Sequence, residues 1–353
     1  MILNGRREKG KLLHQTFFPI ILTAFLVFYI GLVQASAQSP QGKVVTLRLV
    51  SAWTSPDFGN YGLEKFVERI NKQSKTVKIE FKGGAEVIPP LEGFTYVSRG
   101  MVDLYHTAAT YYTGTLPGAL AAFNVSASVK SLRESGFWDL YDKMHRTKGV
   151  TILSMLWRGG SFGLFVNKPI NKADLKGLKI RSLPMYDPFL RMLGASVVSM
   201  PQGDIYTALE KGVVDGFCYP YGPGFMEKSW HEVVKYVIDP QIPYTNSGPL
   251  LANLKQWEAL PAQARKEVMD VILQMESEIY KWYTEEAPKS IRTAIDKGLL
   301  KEIKLSPNET QIFVNAAKEA MWKDIVTRSP DYGPKLKELG EKAEKLEGQQ
   351  KKR

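Results

Sequence analysis

Twice along this chain, short runs of alternating apolar and polar residues are separated by stretches whose apolar residues recur every three or four positions. That pattern restricts the fold to layered α/β arrangements. In the first series residues 44–53 (VVTLRLVSAW), 76–81 and 102–107 read as strands, while residues 61–70, 89–99 and 132–144 read as helices. Strand-like runs at 151–157 and 162–166 and a polar turn at 172–178 lead into the second series. There residues 179–182, 195–200 and 214–219 read as strands and residues 188–193 and 204–211 as helices. Such alternation predicts largely parallel sheets, which gather ligands at the carboxyl ends of their strands. Attention therefore falls on residues 51–54, 83–86 and 107–112.

Two series imply two lobes, and 353 residues with 44% hydrophobic side chains are enough for two ordinary cores. The first lobe is expected over residues 38–160, completed by part of 250–330, and the second over 161–249. Residues 261–301 form one long helical pattern, with Val268, Val271, Ile272, Met275, Ile279, Trp282 and Tyr283 on its apolar stripe, predicted to span both lobes. Residues 331–353 alternate both charges and read as a solvated helical tail.

The first 37 residues have the three parts of an export signal. Arg6, Arg7, Lys9 and Lys11 precede an apolar run over 17–33, and Ala35-Ser36-Ala37 follows as a small-residue cleavage site, expected to be cut after Ala37. Removing this segment takes away four basic residues and one acidic residue, a net +3, so the formal charge falls from +11 to +8. The remaining basic chain suits an anionic partner, and export to the periplasm argues against nucleic acid. A lone cysteine, Cys218, rules out an internal disulfide and reads as a small buried hydrophobe.

An enzymatic alternative rests on Gly159-Gly160-Ser161-Phe162-Gly163, which matches the nucleophile elbow of serine hydrolases and would make this a secreted hydrolase acting through Ser161. The elbow needs a strand before its serine and a helix after it. Residues 162–166, aromatic and β-branched, read as a strand, so no enzyme is predicted. His106, His145 and His231 stand at no metal-ligand spacing, and no metal or cofactor is expected.

Strand ends supply the first candidate binding residues. Trp53 follows the opening strand and offers apolar area with one directional donor. Thr107 and Tyr111 follow the third strand on the same argument.

The second series resembles the solute receptors of tripartite ATP-independent periplasmic (TRAP) transporters. The likeness lies in Ala173-Asp174-Leu175-Lys176-Gly177-Leu178-Lys179-Ile180-Arg181, Leu193-Gly194-Ala195-Ser196, Met200-Pro201, and residues 204–216 (DIYTALEKGVVDG). Weaker support comes from Gly84-Ala85-Glu86-Val87-Ile88-Pro89-Pro90 and Gly100-Met101-Val102-Asp103. The resemblance implies a two-lobed, periplasmic-binding-protein-like α/β fold with a hinge. It would close without catalysis on a small organic acid and dock on the membrane permease subunits of a TRAP transporter. Arg181 matches the family's carboxylate-binding arginine, and a guanidinium grips a carboxylate through two parallel bonds that a lysine cannot reproduce. The resemblance also brings Tyr219 and Gln202 to the ligand. Where many relatives carry a second arginine or polar residue, this chain reads Trp157-Arg158-Gly159-Gly160-Ser161-Phe162. Arg158 is then expected to act from a shifted position, or Phe162 to make the pocket more apolar, pointing to an acid with an apolar or cyclic body.

Overall fold

The computed structural model describes residues 44–350; the signal reading and the cleavage site after Ala37 lie outside the described residues. Eleven strands form among them: β1 (Val45–Ser51), β2 (Val77–Phe81), β3 (Leu104–His106), β4 (Val150–Gly159), β5 (Phe162–Val166), β6 (Lys179–Ser182), β7 (Ser196–Ser199), β8 (Gly216–Pro220), β9 (Tyr236–Asp239), β10 (Asn246–Asn253) and β11 (Lys301–Lys304). They build two sheets, ordered β2-β1-β3-β10-β4 and β11-β9-β5-β8-β6-β7. Two layered α/β lobes result, each with a sheet at its centre.

The expectation of largely parallel sheets needs correction. Pairings β1–β2, β1–β3, β6–β7, β6–β8 and β9–β11 are parallel, but β10 runs antiparallel to β3 and β4, and β5 antiparallel to β8 and β9. The reason lies in the crossings between lobes. The chain leaves the first sheet on β4, enters the second at once on β5, and returns to the first on β10, so strands arriving from the other lobe run against their neighbours. The first crossing is a tight one. Gly159 and Gly160 take φ of +108° and +71°, and a Cβ on either would lie 2.8 or 2.7 Å from the carbonyl oxygens of Tyr280 and Tyr283. Only glycine satisfies both demands.

Helices cover the sheets through ordinary amphipathic spacing. Tyr61–Gln73 buries Gly62, Leu63, Phe66 and Ile70, one face of a helix. The pattern at 132–144 becomes two helices, Val129–Ser135 and Phe137–Arg146, because Gly136 takes a left-handed φ of +86° between them. The pattern at 89–99 contracts to Gly93–Ser98, after the Pro89-Pro90 pair.

The stretch read as one helix over 261–301 is segmented. Ala262–Lys281 is α-helical, Trp282–Glu286 forms a π turn, and Lys289–Asp296 follows Pro288, whose missing N–H suits a helix start. Residues 301–304 are a strand. The first segment packs on β4 and on the Tyr61–Gln73 helix, the last on the short helix Gly224–Glu227. A further helix, Pro307–Arg328, packs both on Asp187–Met192 and on the 3-10 segment Pro117–Asn124, joining the lobes a second time.

The charged tail is a helix, Gly333–Gln350, but a docked one rather than a solvated one. Its Leu336, Gly340, Ala343 and Glu347 are buried, the helix packs on the Val129–Ser135 helix, and Glu347 accepts hydrogen bonds from Ser128 N, Ser128 Oγ and Ser131 Oγ at 2.9, 2.7 and 2.8 Å. Alternating charges on one face hid the small-residue stripe on the other.

One hydrophobic core runs through the first lobe and into the second, and a separate cluster around Phe165, Phe217, Phe225 and Trp230 fills the far side of the second lobe. No helix among the described residues is long and apolar enough to cross a membrane.

Candidate functional site

The carboxyl ends of β1, β3, β6 and β8 converge on a cavity of about 40 Å³ with one wall from each sheet. From the first lobe come Trp53, Ala108, Thr110, Tyr111, Phe123 and Trp157, and Asn246 at the start of β10. From the second come Phe162, Arg181, Leu183, Met185, Tyr186, Gln202, Tyr219 and Pro220.

Arg181 is the one charged residue in that lining. It sits on β6, only 3% exposed, and its Nε and Nη2 both donate to the Met200 carbonyl, at 3.2 and 3.1 Å. The Met200-Pro201 turn after β7 thus orients the guanidinium from behind. Among the described residues Arg181 forms no ion pair, and its Nη1 has no hydrogen-bond partner. Burial pulls its pKa down from the usual arginine range, while Tyr186, Tyr111 and Tyr219 act in the opposite direction. A buried cation without a counter-ion is costly, and an anion entering the cavity would remove that cost.

The rest of the lining is largely aromatic. Trp53 packs edge-on against Trp157 at 5.0 Å between ring centroids and is tilted against Tyr111 at 6.2 Å. Its backbone is held because Asn60 Nδ2 donates to the Trp53 carbonyl at 3.0 Å while Ser51 Oγ donates to Asn60 Oδ1 at 2.6 Å. Phe162 meets Phe123 across the lobes at 6.2 Å and Tyr186 at 5.7 Å. Burial raises the phenol pKa values of Tyr111, Tyr186 and Tyr219, keeping all three as neutral donors. Asp57, just beyond Trp53, pairs with Lys228 of the second lobe at 3.0 Å, a partly buried ion pair between the lobes.

Six of the eight residues singled out from the sequence come together here: Arg181, Tyr219, Gln202, Trp53, Tyr111 and Phe162. Thr107 and Arg158 do not line the cavity. Thr107 is wholly buried after β3. Arg158 is also fully buried on β4, and its donors go to the carbonyls of Ala127, Ala122 and Val125 at 2.9, 2.6 and 2.5 Å, with Asn246 O at 3.5 Å. The expectation that Arg158 reaches a ligand is therefore corrected: its guanidinium ties the segment 122–127 to β4. Side chains alternate along a strand, so Trp157 faces the cavity and its neighbour faces the core.

Sequence reasoning missed Trp157, Asn246, Phe123 and Tyr186, and marked Thr110 only as part of the strand-end range 107–112. The strand-end rule that flagged residues after β1 and β3 applies equally after β6, where Leu183, Met185 and Tyr186 lie. Asn246 carried no signal, because the alternation in β10 is masked by its burial on every residue. Glu86 stays outside the lining, its carboxylate accepting from Thr54 Oγ1 and Gly84 N at 2.5 and 2.6 Å. Cys218 is buried on β8, and burial pushes its thiol up, away from reactivity.

The hydrolase alternative fails on geometry. Ser161 is followed by β5 rather than a helix, and its Oγ donates to the Gln241 amide oxygen, with no histidine bonded to it among the described residues. An amide is no general base.

A family model described as bacterial extracellular solute-binding protein, family 7, matches residues 50–328. A solute-binding protein of Albidiferax ferrireducens is 24% identical over 282 residues, 76% of this chain and 81% of that protein. A monocarboxylate 2-oxoacid-binding periplasmic protein of a Nostoc species is 26% identical over 231 residues, 62% of this chain and 63% of that protein. A TRAP periplasmic solute-binding protein of Desulfovibrio salexigens, solved with bound orotic acid, superimposes with a TM-score of 0.74 at 21% identity, covering 85% of this chain and 99% of that one.

Proposed function

Because the chain belongs to the bacterial extracellular solute-binding proteins of family 7, we propose that it is an extracytoplasmic receptor that closes its two lobes on a small organic carboxylate and delivers it to the membrane permease subunits of a TRAP transporter. One observation carries the ligand class: Arg181, 3% exposed and without an ion pair among the described residues, stands alone as a charge in a cavity between the lobes. In this reading Arg181 holds the carboxylate, Gln202 and Tyr219 flank it from the second lobe, and Trp53 and Tyr111 close over it from the first. Residues 1–37 act as the export signal. The ligands named for related proteins, orotic acid and 2-oxoacids among them, support an acid as cargo.

Thermal-shift screening of the mature protein against small organic acids finds the ligand, and calorimetry on Arg181→Lys then tests the site. Lysine keeps the charge but loses the planar fork. The expected loss in affinity is about thirty-fold or more, since disturbing one partner of a desolvated charge pair costs on the order of 2 kcal/mol and upward. Unchanged affinity in a folded variant removes Arg181 from the site.

A further inference from the structure

Away from Arg181, side chains of the cavity lining carry polar atoms that nothing among the described residues satisfies. Trp157 Nε1, Thr110 Oγ1 and Asn246 Oδ1 belong to lining side chains, are cut off from solvent, and have no hydrogen-bond partner among the described residues. Those side chains are 7%, 3% and 2% exposed. Buried polar atoms in folded proteins are almost always paired, so three bare ones on one cavity mark places for a ligand's own polar groups. The Asn246 amide is oriented by its neighbour. Its Nδ2 donates at 2.7 Å to the Gly159 carbonyl, a group that only accepts, which leaves Oδ1 as the unpaired atom. An amide oxygen needs a donor, an indole N–H needs an acceptor, and a hydroxyl takes either. The demand is therefore for a donor and an acceptor together.

Charge narrows the choice further. With Arg181 the only charged residue of the lining among the described residues, one carboxylate is balanced and a second is not. A second carboxylate would also bring only acceptors, which the Asn246 oxygen cannot use. Building on the carboxylate-receptor reading, we propose that the site selects a monocarboxylate whose far end is neutral and carries both an N–H or O–H and a carbonyl, as a primary amide or lactam does. Trp157, Thr110 and Asn246 are the residues that set this preference, and the equivalent dicarboxylate is rejected.

The test is calorimetry on the folded protein with two matched sets of acids, succinamate, succinate and 4-methylpentanoate, then glutaramate, glutarate and 5-methylhexanoate. Within a set only the far end changes, from amide to carboxylate to branched alkyl. In at least one set the half-amide should bind about ten-fold or more tightly than both companions, the cost expected when buried polar groups are left unpaired or a charge is left uncompensated. Thr110→Val keeps shape while deleting one polar atom, and Trp157→Phe keeps a six-membered aromatic ring while deleting the indole N–H together with the five-membered ring that carries it. Each should cut the ratio of half-amide to alkyl-acid affinity by about three-fold or more, because a purely structural loss would weaken both acids together and leave that ratio unchanged. A dicarboxylate that binds as well as its half-amide overturns the proposal, as does a preference that neither variant moves, and both outcomes leave the carboxylate receptor standing. Silence from all six acids also overturns it; the receptor reading falls as well only if the broad acid screen is silent too.

Discussion

Two buried arginines on strands that meet the cavity show how little the residue type says about its role. Arg158 and Arg181 are both nearly inaccessible, and burial lowers the pKa of each, that of Arg158 to about 10. Their partners differ. Arg158 saturates the backbone carbonyls of Ala122, Val125 and Ala127, while Arg181 binds a single carbonyl and keeps its remaining donors for the cavity. Arg158→Met should therefore lower stability by on the order of 3 kcal/mol or more, since each stranded carbonyl costs about 1 to 3 kcal/mol. Urea denaturation measures that loss, and calorimetry on the folded fraction should find ligand affinity little changed. Arg181→Lys should do the reverse. If Arg158→Met weakened binding without weakening the fold, the division of labour between the two residues would be wrong.

Among the elements, the helix Ala262–Lys281 is fastened by a carboxylate as well as by its apolar stripe. Glu267 accepts hydrogen bonds from Lys75 N, Thr76 N and Thr76 Oγ1 at 2.9, 3.1 and 3.0 Å, and from Ser74 Oγ, so it caps the turn that leads into β2. Burial by itself would raise this carboxyl's pKa, but the hydrogen bonds from Ser74, Gln263 and Thr76 outweigh it and hold the group at about 2, against an ordinary 4.5. A folded-state pKa below the unfolded one contributes stability above about pH 4.5, and that contribution is lost as the pH falls toward 2. Glu267→Gln should thus melt at a lower temperature than the parent at pH 7, with the gap closing steadily between about pH 4.5 and 2. Melting curves of both proteins across that range provide the check. A gap that is constant with pH would mean the carboxylate's charge plays no part.

For the molecule as a whole, the proposed function makes closure the motion to test. Arg181, Gln202 and Tyr219 stand on one lobe and Trp53, Tyr111 and Trp157 on the other, so neither wall alone removes an acid from water. A ligand touching both walls favours the closed arrangement by the difference in its contacts between open and closed states. The Asp57–Lys228 pair joins the two lobes across the cleft at 3.0 Å in this structure. Small-angle scattering should show the radius of gyration falling as ligand saturates the protein. Asp57→Asn should require a few-fold more ligand for the same fall, the modest effect expected of a partly buried ion pair. A radius unchanged at full occupancy contradicts closure and leaves a rigid pocket.

How much of this was legible beforehand follows the range of the interactions involved. Periodicity reports local geometry, so most strands and helices of both series were readable, as was the α/β class, and the spaced blocks around Arg181 carried the family resemblance. Strand-end position located Trp53 and Tyr111 for the same local reason. What no window of sequence contains is which strand lies beside which: the lobe crossings at β4–β5 and β9–β10 turned expected parallel sheets into mixed ones. Those crossings also brought Asn246 to the cavity from a strand that is buried throughout and lacks alternation. Arg158 and Trp157 are adjacent in sequence, yet the pleat of β4 sends one guanidinium into a cage of carbonyls and one indole to the cavity wall. Residue chemistry was set by the sequence, but whether a buried charge would meet three carbonyls or face a cavity between the lobes depended on contacts between residues far apart in the chain, and only the tertiary structure decides those.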